Sequence, residues 1–266
     1  WPPFQSVRWF SVVSVQDSYT IDLLPALSML KQASGRYLGA DEALQQAAGA
    51  PSAALGLLVF EGEDGADVPD SVRSAAPGWD AEGLRSEGFT GKAGTTLALL
   101  SATGPTKVFV GLGPAADADA DTYRDSGAAL ARAASKAKNV FALAPAAADG
   151  TQVEALTEGI LLAAYTFNSF KSEPKEGEDP RVLSSLTVAQ EGAKKSQISV
   201  GETALARAWA LARAAFVARD LTNAPPAHLN PRTLADTAVA LAEEFGFEAE
   251  ILDRLELEAL GCGGIV

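Results

Sequence analysis

The sequence contains a single histidine and a single cysteine, His228 and Cys262. A Ser-His-Asp or Cys-His centre needs a histidine to move a proton, so any such centre would have to use His228. That residue lies two positions before the predicted helix cap Asn230, and we favour a structural or surface role for it. Zinc sites of the HExxH or CxxC kind need more histidines and cysteines than the chain has. Cys262 lies between two glycines, where we expect a small buried residue rather than a ligand.

The carboxylates and one pair of glycines are the other residues that could do chemistry. Counting does not exclude a carboxylate-rich metal site, but the acidic side chains crowd residues 61–70 and 117–125, which we interpret as solvated surface. Gly111-Leu112-Gly113 follows an apolar run, and a glycine turn between a strand and a helix can bind phosphate. Ala116 stands where a dinucleotide fingerprint needs its third glycine, so we predict a tight turn instead.

The net charge limits the classes of partner. The chain carries −13, from 34 acidic and 21 basic residues, whereas nucleic acids and anionic membranes bind clustered lysine and arginine. We therefore expect neither as a partner. A lone cysteine forms no intrachain disulfide, which fits a reducing cytoplasm.

The sequence also lacks the apolar segments that direct a chain to a membrane. No run reaches the ~18 apolar residues of a membrane span, and the short apolar run at residues 9–15 is a poor signal peptide. The chain opens at Trp1, and its one methionine is Met29. We therefore expect that the sequence does not begin at the natural start of a protein.

The elements that would position these residues follow an α/β pattern. Residues 1–50 show no pattern that we can interpret, and a turn at residues 49–51 closes them. Short apolar runs then predict buried strands, at residues 55–60, 95–100, 107–110, 139–143 and 185–189. An Ala-rich stretch at residues 121–138 predicts a helix. A strand, a helix and a strand in this order indicate a parallel βαβ unit.

A second helix and a boundary follow. Thr151, with Glu154 three residues later, predicts a capping box, and apolar residues at helical spacing continue the helix to near Phe170. Residues 171–181 are charged and contain two prolines. They predict a loop or linker and the best candidate for a domain boundary.

The last third predicts more helices and one strand. One helix buries an apolar stripe and ends before Pro225-Pro226; the stripe consists of Leu205, Ala208, Trp209, Ala212 and Phe216. The next helix begins at the cap Asn230 with Pro231 as its first residue, and it ends at Gly246. Its predicted buried face consists of Leu234, Ala238, Leu241 and Phe245.

Alternating apolar and acidic residues predict a strand at residues 247–251. Asp253 and Glu256 then cap a short helix that Gly261 ends. Ile265-Val266 begins another apolar strand, so we expect that the chain has been cut there.

Four longer stretches are more specific than these patterns. The two strongest are ARDLTNAPP at residues 218–226, which continues to a proline-started helix, and EGILLAAYTFNSFK at residues 158–171. The two weaker ones are FTGKAG at residues 89–94 and VFVGLG at residues 108–113. In order and spacing they resemble the leucyl (cytosol) aminopeptidase family, in which the first two occur as an ARDLVNTP-type phrase and an EGLLLGxYxFxxYK helix. The resemblance covers about residues 54–266.

The resemblance implies an α/β fold in two parts. Residues 51–172 would form the family's N-terminal domain, which is similar to macro domains and is not catalytic. Residues 173–200 would form a linker and a strand, and residues 201–266 the beginning of an incomplete α/β peptidase domain. Residues 1–50 have no clear counterpart and stay unassigned.

The resemblance also implies metal-dependent hydrolysis in a full-length member. There two divalent ions (Mn or Zn), held by carboxylates and a lysine, activate water and polarise the scissile carbonyl of a peptide with a free N-terminus. The family forms hexamers, so a homo-oligomer is the implied assembly. The phrases that carry the ligands and catalytic residues, GKGxxFDxGG and NTDAEGR, do not occur here. We therefore assign no catalytic, cofactor-binding or metal-binding residue to this chain, and expect it to be inactive by itself.

Two other functions stay open. A catalytically silent binding or regulatory module would use the macro-like domain for a nucleotide or a partner protein, at the turn formed by residues 111–113. A structural role would join the subunits of an oligomer through the apolar stripe of residues 205–216, although we favour that stripe as core. The leading hypothesis is a partial copy of a leucyl aminopeptidase.

Overall fold

The structure, a computed structural model, describes residues 6–10, 22–50, 52–101, 104–169 and 183–265. Contacts divide the chain into two compact units. The larger comprises residues 26–217, and the smaller combines residues 218–266 with the N-terminal 25 residues, which include strand β1 (Ser6–Phe10). The chain mixes helices and strands, which confirms the predicted α/β class.

A mostly parallel sheet forms the centre of the larger unit. In the described part of the chain it has seven strands, β2 (Ser34–Gly39), β3 (Ala53–Gly62), β4 (Gly65–Asp67), β5 (Thr96–Leu99), β6 (Thr106–Pro114), β7 (Asn139–Ala144) and β8 (Ser185–Gln190). Their order is β2-β8-β7-β3-β6-β5, and β4 pairs with β3. The strands from β2 to β6 in this order are parallel, while β4 and β5 are antiparallel to their neighbours.

Helices accompany this sheet, and several predicted elements are confirmed. The helices are α1 (Pro25–Gln32), α2 (Ala40–Gly49), α3 (Asp70–Ala75), α4 (Ala81–Ser86), α5 (Ala120–Ala133), α6 (Gly150–Ala163) and α7 (Lys195–Asn223). All five predicted strands are present as β3 and β5 to β8. The predicted βαβ unit is β6, α5 and β7, whose strands are parallel and lie on either side of β3.

Strand β3 is buried on both faces. Its first seven residues, 53–59, are all buried, as expected for a central parallel strand. Leu58 joins an apolar cluster that also contains residues of α5, α6 and α7, whereas Leu57 joins a second cluster with residues of α2, α3 and α4. Gly56 faces the first cluster, since a Cβ there would lie 2.4 Å from Leu130 Cδ2. The larger unit thus has a core on each side of its sheet.

Residues 22–50 contain two helices and a strand that the sequence patterns missed. Strand β2 pairs with β8, with Ser34 opposite Ser185. Its sequence, SGRYLG, has two glycines and no apolar run, so nothing local identifies it as a strand. The domain ranges 51–172 and 201–266 stay predictions. The sheet of the larger unit takes β2 and β8 from outside the first of these ranges.

Helix α6 differs at both ends from its prediction. Its cap is Asp149, whose carboxylate accepts the backbone N–H of Gln152. The side-chain oxygen of Gln152 in turn accepts the backbone N–H of Asp149. The capping pair is therefore not Thr151 and Glu154, as the sequence predicted. The helix ends at Ala163 instead of near Phe170, which lies outside the described residues. The residues that follow are aromatic, β-branched or short polar ones with weak helix propensity.

Helices α5 and α6 touch through two glycines. A Cβ at Gly159 would lie 1.9 Å from the carbonyl oxygen of Arg124, and one at Gly127 would lie 2.3 Å from that of Leu156. Arg124 Nε also donates to Glu158 Oε2 over 2.9 Å, and this hydrogen bond raises the pKa of the guanidinium. The EGILL stretch therefore serves close helix packing, held at one side by an ion pair.

Helix α7 packs its predicted apolar stripe against the sheet. Its five residues, Leu205, Ala208, Trp209, Ala212 and Phe216, are all buried, which confirms the prediction. Trp209 lies over Gly35, where a Cβ would be 2.7 Å from Trp209 Cζ3, and the ring of Tyr37 lies against Gly201. The helix therefore runs in the direction opposite to β2. It ends at Asn223, before the two prolines.

A buried glutamine joins the carboxyl end of the sheet to the loop before α6. Gln190 is 2% exposed. Its Nε2 lies within hydrogen-bond distance of three carbonyl oxygens, those of Pro145 (3.1 Å), Ala146 (3.0 Å) and Ala148 (2.7 Å). Its Oε1 accepts the hydroxyl of Tyr37 over 2.9 Å. One side chain thus connects β2, β8 and the β7–α6 loop.

The smaller unit contains a two-stranded parallel sheet in the described chain. Strand β1 pairs with β9 (Glu248–Leu252), accompanied by helices α8 (Pro231–Phe245) and α9 (Arg254–Ala259). Asn230 caps α8, Pro231 is its first residue, and Gly246 follows it with φ +74°. Asp253 and Glu256 form a capping box at α9. The caps of both helices, Pro231 and Gly246 agree with the prediction, whereas strand β1 was not predicted.

The apolar surface of this unit differs from the prediction. The buried residues of α8 are Ala235, Ala238 and Ala242, while Leu234 and Leu241 are half-buried and Phe245 is 47% exposed. Ile265 lies in a turn rather than a strand, and Val266 lies outside the described residues. Phe247, Leu255, Leu260 and Ile265 are exposed as well. A two-stranded sheet offers too little surface to cover these side chains.

The close contact of α5 and α6 predicts that a Gly-to-Ala substitution within it lowers the stability of the chain, whereas the same substitution at an open position does not. Gly159→Ala should destabilise the chain by roughly 1–3 kcal/mol, because the added methyl overlaps a backbone carbonyl that cannot move freely. Gly49→Ala is the matched control at the end of α2, where the space is open, and should be neutral or stabilise by up to ~1 kcal/mol. Urea unfolding followed by circular dichroism measures both. Equal effects would contradict the contact.

Two buried tyrosines predict a loss of stability at alkaline pH. Burial raises the pKa of Tyr37 to about 12, and burial together with the charge of Asp149 raises that of Tyr123 to about 12, against 10.0 for an ordinary tyrosine. The unfolded chain then releases these protons first, so the free energy of unfolding should fall as pH rises from about 10 towards 12. Urea midpoints across this range measure the slope, which should be shallower in the double variant Tyr37→Phe, Tyr123→Phe. An unchanged slope would refute the assignment.

Candidate functional site

The two weaker stretches of the resemblance, FTGKAG and VFVGLG, contact each other. Gly111 and Gly113 lie within β6, so the tight turn predicted for residues 111–113 is wrong. Gly113 donates its N–H to Gly91 O (2.8 Å), and Gly94 donates to Gly111 O (3.1 Å). Gly111 itself donates to Thr95 O (2.9 Å). The loop after α4 therefore continues the sheet hydrogen bonding along the end of β6.

Glycine is required in this contact because the two backbones are too close for a side chain. A Cβ at Gly111 would lie 2.1 Å from Lys92 O, and one at Gly91, which has φ +86°, would lie 2.4 Å from Phe60 O. A phosphate site needs backbone N–H groups that point at the ligand. The N–H groups of Gly111 and Gly113 point at carbonyls of the protein instead, so these glycines serve packing.

The helices that follow β6 and β7 begin at capping aspartates. Asp119 accepts the N–H and the hydroxyl of Thr122, both at 2.9 Å, and these hydrogen bonds lower the pKa of its carboxyl. Asp149 caps α6 in the same way. In open α/β sheets, ligands bind beyond the carboxyl ends of the strands. Here carboxylates already occupy both helix N-termini at that edge, which disfavours an anionic ligand.

A cleft of about 360 Å³ lies at the same edge. Its lining includes Tyr37, Gln190, Asp149 and Val200. The hydroxyl of Tyr37 donates to Gln190 Oε1, and the Nε2 of Gln190 donates to backbone carbonyls. Asp149 is engaged as a helix cap. The side chains of Tyr37, Gln190 and Asp149 are therefore engaged in holding the fold together at this cleft.

The single histidine and cysteine lie in the smaller unit. Both residues are half-buried. The backbone of His228 donates to Pro225 O (2.8 Å), and its carbonyl accepts the hydroxyl of Thr233. Cys262 donates its N–H to Leu257 O (3.0 Å) in the turn after α9. Cys262 is thus half-buried where the sequence predicted a buried residue, and the structural role of each side chain stays a prediction.

Asp220, in the ARDLTNAPP stretch, is a residue whose environment the sequence patterns did not indicate. Its side chain is fully buried, although it carries a carboxyl group. A buried carboxylate requires hydrogen-bond or ionic partners, because burial without them is costly. A charged residue on an otherwise mixed helix gave no local signal of this burial.

Metal ligands would have to come from clustered His, Cys, Asp or Glu side chains. Among the described residues there is no group of three or more that could hold a metal ion. Acidic side chains elsewhere cap helices or pair with arginines, as Asp119 and Glu158 do. The described residues do not fit a pair of divalent ions. Nor is any described helix long and apolar enough to cross a membrane.

Comparison with known protein sequences identifies a family. The profile of the cytosol aminopeptidase family, N-terminal domain, matches residues 57–174. A probable cytosol aminopeptidase of Picosynechococcus sp. is 32% identical over 232 residues, which is 84% of this chain and 45% of that protein. One of Streptomyces avermitilis is 32% identical over 248 residues, 89% of this chain and 47% of that protein. The chain spans less than half the length of these relatives.

Comparison with solved structures finds proteins of similar fold. The bottromycin maturation enzyme BotP in complex with Mn has a TM-score of 0.53 and 29% identity, over 73% of this chain and 36% of that one. A mutant of tomato leucine aminopeptidase has a TM-score of 0.54 over 91% of this chain and 43% of that one, and at 19% identity it supports the fold alone. Through its N-terminal domain, this chain belongs to the leucyl (cytosol) aminopeptidase family.

Proposed function

We propose that this chain is the N-terminal part of a metal-dependent leucyl aminopeptidase, which releases N-terminal amino acids from peptides. The observation that carries the proposal is the match to probable cytosol aminopeptidases over 232 residues, which make up less than half of such a relative. In this proposal the chain supplies a folded domain that does no chemistry. Residues outside the chain hold the metal and act on the substrate.

The proposed domains follow the family profile. Residues 51–172 form the N-terminal domain, which is supported by the profile match at residues 57–174. Residues 173–200 connect it to residues 201–266, the opening of the peptidase domain. The separate compact unit that contains residues 218–266 agrees with a second domain beginning in this part of the chain. The first 50 residues remain unassigned to a family domain.

Two divalent ions, Mn or Zn, are the proposed cofactors of the complete enzyme, in which they would acidify a water molecule and stabilise charge on the intermediate. The described residues do not provide their ligands. No step of the hydrolysis is therefore derived from this chain. The proposed partners of the complete enzyme are peptide substrates and further copies of itself, as a cytoplasmic homo-oligomer of hexameric form.

A catalytically silent module that binds a nucleotide is the weaker alternative. Its motivation was a glycine turn at residues 111–113, and those glycines lie in a strand whose N–H groups bond to carbonyls. Asp119 and Asp149 place negative charge at the helix N-termini where a phosphate would bind. We therefore favour the aminopeptidase.

The proposal predicts that activity requires the other half of the enzyme. The purified chain should not hydrolyse leucine p-nitroanilide with added Mn²⁺ or Zn²⁺, because it lacks the ligand set. A chimera that joins this chain to the C-terminal half of the Streptomyces avermitilis relative should hydrolyse it. Activity of the chain alone would refute its non-catalytic role. A folded but inactive chimera would count against the family domain assignment, and calorimetric binding of ADP-ribose would favour the alternative.

The smaller unit should be the less stable part of the isolated chain. Exposed Phe245, Phe247, Leu255 and Leu260 predict binding of a hydrophobic dye and early proteolysis within residues 218–266. Residues 54–172 should resist the protease. The variant Leu255→Ser, Leu260→Ser should bind less dye while the larger unit unfolds at the same urea concentration. Uniform resistance to the protease would contradict this prediction.

A further inference from the structure

Strand β2 is the open edge of the sheet in the larger unit. In the described chain it pairs with β8 alone. Ser34 donates its N–H to Ser184 O, so the alternation of a parallel ladder turns the backbones of Ser34, Arg36 and Leu38 towards β8. The N–H and C=O groups of Gly35 and Tyr37, and the N–H of Gly39, then point away from the sheet. An edge of this kind is a template for an added strand.

A groove of about 570 Å³ runs along this edge, between β2 and α7. Its α7 wall is formed by Glu202, Leu205, Ala206, Trp209 and Arg213. From the first to the last of these residues the helix rises ~16 Å. An extended peptide of about five residues spans that length. The groove thus has an apolar middle, an acidic end and a basic end.

The Nε atom of Arg213 is buried and has no hydrogen-bond partner among the described residues. A buried donor without an acceptor is destabilising. Arg213 also lines the groove, so its guanidinium gives that end of the groove a positive charge with which a carboxylate can form charge-assisted hydrogen bonds.

The geometry points to an extended peptide segment that adds antiparallel to β2 and places a carboxylate, near its own carboxyl end, on Arg213. Helix α7 runs opposite to β2, so Arg213 lies at the amino end of the strand, where an antiparallel partner ends. Antiparallel pairs are the slightly more stable kind. A basic residue near the amino end of the segment meets Glu202.

A second copy of the chain is the less suitable occupant. Symmetric pairing of β2 with itself would bring two Arg36 side chains into one small sheet edge. The strand sequence, SGRYLG, also has no carboxylate to offer to Arg213. Arg36, which is exposed, instead protects the edge against indiscriminate pairing. The charges of the groove thus favour a partner segment with an acidic end.

Fluorescence anisotropy with the full 266-residue chain tests the inference. The probe is the labelled peptide Lys-Val-Thr-Val-Glu with an amidated C-terminus, and the matched amidated peptide has Gln in place of Glu. We expect saturable binding of the first peptide and affinity at least about tenfold weaker for the second, since a charge-assisted bond is lost. Absence of saturable binding at concentrations on the order of 1 mM would overturn the inference.

Three variants connect binding to the groove. Arg213→Met should weaken binding at least about tenfold while leaving the urea midpoint unchanged or higher, because it removes an unsatisfied buried donor. Gly39→Pro should also weaken binding, since it removes an outward N–H at a residue with φ −70° and open space around it. Arg207→Met is the control, on an exposed position of the same helix, and should bind normally.

The remaining outcomes count against the inference. Equal affinity of Arg213→Met and the unchanged chain would show that the peptide binds elsewhere. A dimer in sedimentation velocity that Gly39→Pro abolishes would make a second copy the occupant. The experiment requires no peptidase activity, so its result is independent of the proposed function.

Discussion

Both faces of strand β3 must be shielded from water, and most of the larger unit packs against one face or the other. Residues 53–59 have no polar side-chain atoms, and pairing with β6 and β7 satisfies the backbone of the strand on both edges. The two apolar clusters exclude water from its two faces. Helices α5 and α6 are tied together by Gly127 and Gly159 on one face. Helix α4 brings Leu84 to the other face. The positions of the glycine contacts and capping residues follow from this layering.

Local sequence patterns are sufficient to predict those helices and strands whose start and end depend on nearby residues. The apolar run of β3, the Asn230-Pro231 start of α8 and the Asp253–Glu256 box each depend on neighbours a few residues away. Strand β2 depends on β8 and on Trp209, which lie far along the chain. The sequence SGRYLG does not indicate these partners, so the prediction of strand β2 requires knowledge of the tertiary structure.

The sequence limits the possible kinds of catalytic centre more reliably than it predicts the contacts of individual residues. One histidine and one cysteine already limit the types of catalytic centre. The prediction of a turn at Gly111 and Gly113 is wrong, because a glycine that permits a turn and one that permits close backbone approach look the same in sequence. The buried state of Asp220 and the vacant donor of Arg213 depend on folding partners and left no trace in local pattern.

The hydrogen bond between Tyr37 and Gln190 has a consequence for the order of events during synthesis. It joins residues 153 positions apart, and β2 pairs with β8 over a similar separation. At about 5–20 residues per second on a ribosome, β2 is synthesised roughly 8–30 s before its neighbour β8. During this interval its glycine-rich, weakly patterned sequence has little tendency to form strands with other chains. The feature that hid β2 from prediction thus also protects the nascent chain.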